Sequence, residues 1–90
     1  MDAKKRNFEL YCQARKKAGA TQTQWATLFS LGGRPVQQAV SDKERQIKGV
    51  NNAEALACSL LNHLIDQGFD VSRIEFDAAG NVVSLPKQHS

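Results

Sequence analysis

Ninety residues allow one domain with one modest core, and 41% hydrophobic with 23% charged residues is the composition of an ordinary soluble globular chain, not a disordered one. The longest apolar runs fall far short of the roughly 20 residues that span a bilayer, and no apolar signal region follows the basic start Met1-Asp2-Ala3-Lys4-Lys5-Arg6. Two distant cysteines, Cys12 and Cys58, make neither a disulfide framework nor a Cys-type metal site, so a cytoplasmic protein of bacterial or phage type is expected. Net charge is +3, but residues 1–50 hold ten Lys/Arg against four acids and residues 51–90 hold two against five. A basic half suggests a polyanion partner, and an acidic half suggests a part kept away from it.

Asp2 fits a helix cap, and residues 3–17 lack Gly and Pro. Phe8, Tyr11, Cys12, Ala14 and Ala18 trace an apolar stripe at helical spacing, and Gly19 supplies a left-handed stop. Arg15, Lys16 and Lys17 fill the last turn, where cations complement the helix dipole as well as a polyanion.

Residues 21–40 read as two short helices joined by a tight turn. Thr21 with Gln24 three residues on fits a capping box, and Trp25, Leu28 and Phe29 share one face. Gly32-Gly33 breaks the helix, and Pro35 fits the first turn of a new one. That second helix is expected over about 33–41, with Val36, Ala39 and Val40 inward and Arg34, Gln37, Gln38 and Ser41 outward. A charged connection, residues 42–50, follows.

Asn51 and Glu54 form a second capping box. Ala53, Leu56, Ala57, Leu60, Leu61, Leu64 and Ile65 make one apolar face over four turns, and Gly68 with Phe69 predicts a Schellman ending. Residues 71–77 and 81–85 read as two strands around a loop with Gly80 at positive φ. A lone hairpin is marginal in water, so it packs on the helices or on a second subunit. Pro86 ends the second strand, and residues 87–90 read as a frayed tail.

Enzymatic readings find little. His63 lies on the polar flank of the leucine-rich helix and His89 in the tail, neither at metal-ligand spacing. No nucleophile elbow or phosphate-binding glycine loop is present. No metal, cofactor or small-molecule ligand is indicated. The nucleic-acid reading is stronger, because Arg and Gln are the side chains whose paired polar atoms match the major-groove edges of G and A. Candidate base readers are Arg34, Gln37, Gln38 and Ser41. Candidate phosphate contacts are Gln22 with Thr21 and Thr23 at a helix start, and the cations Lys16, Lys17, Lys43 and Arg45 on either flank.

The segment Arg15-Lys16-Lys17-Ala18-Gly19-Ala20-Thr21-Gln22-Thr23-Gln24-Trp25-Ala26 resembles the start of a Cro/cI-type (lambda repressor-like) helix-turn-helix DNA-binding domain: an Arg, a Gly four residues later, then Ser/Thr-Gln, two polar residues, an apolar residue and Ala. The resemblance covers roughly residues 8–66. It implies a mainly α fold of four to five helices, here with a C-terminal β-hairpin similar to the β element of small phage repressors. It also implies that Gln22 lies near DNA and that Gly33, Arg34, Gln37 and Gln38 open the reading helix. The chain departs from the family at Gly32-Gly33, at Pro35 and at Val40, where many members carry Glu.

The expectation is a single domain, helical over 1–68 with a hairpin extension over 69–86 and a tail over 87–90. Its expected role is that of a transcriptional regulator, such as a repressor, binding double-stranded DNA as a homodimer through the hairpin or the leucine-rich helix. The alternative from another class is a protein-interaction module, antitoxin-like or a phage inhibitor, that keeps the helical fold without reading DNA. RNA binding is weaker, since no aromatic platform on a sheet is evident.

Overall fold

Capping chemistry sets where three of the helices begin. In the computed structural model, which describes residues 2–88, helix α1 (Ala3–Ala18) starts where Asp2 Oδ1 accepts from the Lys4 amide and stops at left-handed Gly19. Helix α2 (Gln22–Phe29) opens on the expected box: Thr21 Oγ1 accepts from the Gln24 amide at 3.1 Å, and Gln24 Oε1 from the Thr21 amide at 2.8 Å. Helix α4 (Asn52–Asp66) opens on the same device between Asn51 and Glu54. It ends in the expected Schellman geometry, with the Phe69 amide donating to Leu64 and Gly68 at φ 93°.

The third helix differs from expectation. Helix α3 spans Gln37–Glu44, not 33–41, and its cap position, Val36, makes no side-chain bond. Pro35 disfavours helical geometry at Arg34, the residue before it, so Gly33, Arg34 and Pro35 stay in the connection. That connection runs through residues 30–36 and is longer than a tight turn. Leu31 and Gly32 both take left-handed backbone there, at φ 54° and 81°. Val36, expected to face inward, is 57% exposed, whereas Val40 is buried. The charged segment after Ser41 supplies the last turn of α3.

The core is small and aromatic. Trp25 packs edge-on against Tyr11 with ring centroids 6.4 Å apart, and Phe29 lies 5.4 Å from Trp25 and 5.6 Å from Tyr11. Ala14, Ala20, Ala26, Val40, Cys58 and Val71 close around them. Asn7 is buried as well; its Nδ2 donates to Val50 O and Asn52 Oδ1, tying α1 to the start of α4.

Helix α4 meets α1 through its small residues. Ala55 and Cys58 are buried, while Ala53, Leu56 and Leu60 of the expected inward face are exposed. Small side chains let two helix backbones approach, so α1 selects the Ala55–Cys58 stripe and the leucines are left at its edge. Leu61, Leu64 and Ile65 are half-buried against the core.

The C-terminal segment holds less strand than expected. Val71–Arg73 is a 3-10 turn, because Asp70 Oδ1 accepts from both the amide and the hydroxyl of Ser72. Strands β1 (Glu75–Phe76) and β2 (Val82–Ser84) pair antiparallel, with a register irregularity after Glu75. Asp77 organises the loop, its carboxylate accepting from the amides of Asn81 and Ala79, which hold its pKa below the usual value. Gly80 takes the expected positive φ and Leu31 packs over it. Residues 87–88 are not frayed: Lys87 bridges to Phe69, and the Gln88 amide donates to Gly68 at 2.8 Å. The rest of the expected tail, including His89, lies outside the described residues. The radius of gyration is 12.7 Å, against about 12 Å for a compact chain of this length, so the hairpin lies on the helices.

Two outcomes follow. Trp25→Ala should cost about 3–5 kcal/mol by chemical denaturation. Trp25→Phe should cost distinctly less, because it also removes the buried indole N–H, which finds no acceptor among the described residues. Burial pushes the Cys58 thiol up to about 12, with Glu54 and Cys12 adding to it, and burial raises Tyr11 as well. The unfolded chain therefore releases these protons first. Stability should be complete below pH 9 and fall as pH climbs toward 12; a urea midpoint that stays flat from pH 8 to 11 would contradict this.

Candidate nucleic-acid interface

Three helix ends meet at one ion pair. Arg15, in the last turn of α1, donates from Nε to Glu44 Oε2 at 2.7 Å and from Nη1 to Ala20 O at 3.0 Å. It thereby holds the short link before α2 and the last residue of α3 together. The other Glu44 oxygen accepts from Gln22 Nε2 at 2.8 Å, and Gln22 Oε1 accepts from Gln37 Nε2 at 2.7 Å. Gln22 and Gln37 are the first residues of α2 and α3, so the chain Arg15–Glu44–Gln22–Gln37 couples the two helix starts.

The order of donors in this chain is fixed by charge. An ionised carboxylate only accepts, so Gln22 must turn its NH2 toward Glu44 and its oxygen toward Gln37. Gln37 must then give an N–H to Gln22, which leaves its own Oε1 and second N–H free. Gln38 is oriented in the same way by Asp42, Nε2 donating to Oδ1 at 2.7 Å. Each glutamine, exposed at the start of α3, offers one acceptor and one donor side by side. That is the pattern which pairs with the N6 donor and N7 acceptor of adenine.

The remaining sequence candidates divide into groups. Arg34 and Gly33 are exposed but lie ahead of α3, so Arg34 does not share a helix face with Gln38, contrary to expectation. Arg34 makes no ion pair or side-chain hydrogen bond among the described residues. Ser41 is half-buried within α3. Thr21 is engaged as the cap of α2, and the Thr23 backbone carbonyl accepts from Thr27. Lys16 and Arg45 are exposed and without a carboxylate partner among the described residues. Lys17 pairs with Asp66 at 2.8 Å with both side chains largely in solvent, a contact too weak to withhold the ammonium from a phosphate. Lys43 is different: it is half-buried and held at 3.1 Å by Glu54, which binds α3 to α4.

Asp42 and Glu44, which orient the glutamines, do not stand out in the sequence. The signal was present, since Glu44 is seven residues from Gln37 and Asp42 four from Gln38, each pair on one helix face. It became readable only with α3 extended to Glu44. Among the described residues, no group of three His, Cys, Asp or Glu is placed to hold a metal ion, and no helix is long and apolar enough to cross a membrane.

No family model, curated protein or solved structure matches the chain.

Glu44→Ala leaves the half-buried Arg15 guanidinium without its carboxylate, and should cost about 1–3 kcal/mol in chemical denaturation. Lys17→Ala should stay within about 0.5 kcal/mol. The side-chain amide protons of Gln22 and Gln37 should shift in the NMR spectrum of Glu44→Ala and hold their positions in Lys17→Ala.

Proposed function

We propose that this chain is a sequence-specific double-stranded DNA-binding protein of helix-turn-helix type and acts as a transcriptional regulator, with α3 entering the major groove. The observation that carries this reading is the oriented glutamine pair. Gln22 and Gln37 join the starts of α2 and α3, and Gln37 and Gln38 face outward with the polar pattern that fits an adenine edge. Eight residues make α3 about 12 Å long, and its side chains fill a cylinder about as wide as the major groove.

Three further features support the reading. The first amides of α3 have no side-chain cap, which suits them to a phosphate oxygen. Lys16, Arg34 and Arg45 are exposed cations on the segments that border α2 and α3, and Lys17 joins them when its surface pair opens. Gln22 is the family-type contact implied by the resemblance in residues 15–26, and it sits where Glu44 fixes its orientation. In this reading Gln37 and Gln38 read bases, with Arg34 reaching the groove from the connection. Gln22, Thr21, Thr23, Lys16, Lys17 and Arg45 meet the backbone, and Lys43 braces the fold.

A second reading, a protein-interaction module, draws on the position of Gly33, Arg34 and Pro35 outside α3, which removes one expected base reader from the helix. One stoichiometric protein partner with no DNA enrichment would favour it.

Selection from random duplex DNA at moderate salt should enrich one short motif containing A·T pairs. Gln37→Ala and Gln38→Ala should each relax preference at one position by about 1–3 kcal/mol. Lys16→Ala should weaken all sequences alike and lower the slope of log K against log salt by about 0.9. Absence of any enriched sequence would sink the proposal.

A further inference from the structure

We propose that Asp42 is a specificity-determining residue of α3, which makes Gln38 reject guanine where it accepts adenine. This rests on the reading of α3 as a DNA-reading helix and names what one of its positions selects. Gln38, exposed, donates from Nε2 to Oδ1 of the half-buried Asp42 at 2.7 Å, one helical turn along α3. Gln38 is the one side chain that Asp42 bonds among the described residues, and no cation pairs with its carboxylate there.

The hold works in one direction only. An ionised carboxylate accepts and never donates, so Gln38 cannot turn its amide over and set Oε1 against Asp42. A glutamine amide has two N–H groups, and one of them is taken. One N–H and Oε1 remain, side by side. Adenine offers the matching pair, the N7 acceptor and the N6 donor, whereas guanine offers two acceptors, N7 and O6. A freely turning amide gives one N–H to each of those acceptors. The held amide instead sets Oε1 against one of them, so two acceptors meet with no proton between them. Gln38 by itself takes either purine, and Asp42 restricts it to one.

Two observations separate Asp42 from an ordinary acid on a helix surface. Its main-chain carbonyl accepts from the amides of Ile47 and Lys48 at 2.8 and 3.2 Å, so the backbone that carries the carboxylate is fastened at the end of α3. Its charge is also uncompensated on a helix that approaches a polyanion, which weakens binding to every sequence alike. A residue that lowers general affinity acts on discrimination, by a penalty laid on the wrong base. Gln37 is held instead by the neutral Gln22, which Glu44 orients, so Asp42 acts at one base pair alone.

Selection from random duplex DNA with the wild type, Gln38→Ala, Asp42→Ala and Asp42→Glu tests this. Gln38→Ala identifies the base pair that Gln38 meets. There the wild type should prefer adenine over guanine by about 5- to 150-fold, the range of one good paired contact. Asp42→Ala should bring the two purines close to parity at that pair, leave the Gln37 position unchanged and bind all sequences more tightly. Asp42→Glu keeps an acceptor-only carboxylate and should keep the preference. In the Gln38→Ala background, Asp42→Ala should alter no base preference; a role in helix stability alone moves none of these ratios. Alanine is the best helix former, and unchanged circular dichroism verifies the fold of each variant. In the free protein, the side-chain amide protons of Gln38 should shift in the NMR spectrum of Asp42→Ala while those of Gln37 hold. An enriched site whose adenine preference survives Asp42→Ala overturns this proposal and leaves the DNA reading standing. Unmoved Gln38 amide protons, or a relaxation spread over every position, do the same. Absence of any enriched site overturns both.

Discussion

The Arg15–Glu44 pair is the contact on which the arrangement of the first three helices turns. One guanidinium meets the last residue of α3 and a carbonyl in the α1–α2 link, and both oxygens of one carboxylate are in use. The pair is half-buried, so it is screened less than a surface contact, and removing either partner leaves the other charge poorly solvated. Because Glu44 can only accept, its charge also sets the direction of every hydrogen bond beyond it, through Gln22 to Gln37. A neutral side chain at 44 fills the space without imposing that direction. The outward-facing polar atoms of α3 are thus ordered by an ion pair behind them, and little freedom is left to lose when a partner binds.

The charge imbalance of the sequence acquires a different meaning once the chain is folded. Two cations of the basic half reach acids of the acidic half, Lys17 to Asp66 and Lys43 to Glu54. The half-buried Lys43 therefore serves to attach α3 to α4, while Lys17 sits in an exposed pair that can open. Lys16, Lys17, Arg34 and Arg45, with the cations at the start of α1 and Lys48, are what remains. A count of charges by segment overstates the field of a surface wherever opposite charges close across the fold.

Local signals in the sequence were the reliable ones. Both capping boxes, the left-handed stop at Gly19, the Schellman ending at Gly68 and the turn at Gly80 are set by two to five neighbouring residues, and each stands where expected. Signals that require a partner were not legible. The start of α3 lies about four residues later than expected, because Pro35 suits a first helical turn in isolation, yet it restrains Arg34 and leaves Val36 as an unassisted cap. The buried face of α4 differs from the expected one because hydrophobicity favours its leucines, whereas close approach to α1 favours Ala55 and Cys58. Residues 71–73 carry strand-forming types, and one carboxylate, Asp70, turns them into a 3-10 helix. For the candidate interface, residue type pointed to Gln22, Gln37 and Gln38, but their orientation depends on Glu44 and Asp42, which read as part of a charged connection.

The connection between α2 and α3 links the two faces of the molecule. Leu31 takes a left-handed backbone that costs a non-glycine residue roughly 1–2 kcal/mol, and it is held there by packing on Gly80, while Gly32 lies against the Phe76 ring. A Cβ at Gly32 would come within 3.3 Å of that ring, so glycine is favoured by its φ, and an added side chain would also press on Phe76. The hairpin therefore supports the strained end of the segment whose other end, Arg34 to Val36, leads into the glutamines of α3. Its place on the helices accounts for a feature that propensity leaves unexplained, a helix start with neither a capping side chain nor an apolar anchor at Val36. What fixes that start lies on either side of it: the glutamine chain from Arg15, and the hairpin against Leu31 and Gly32.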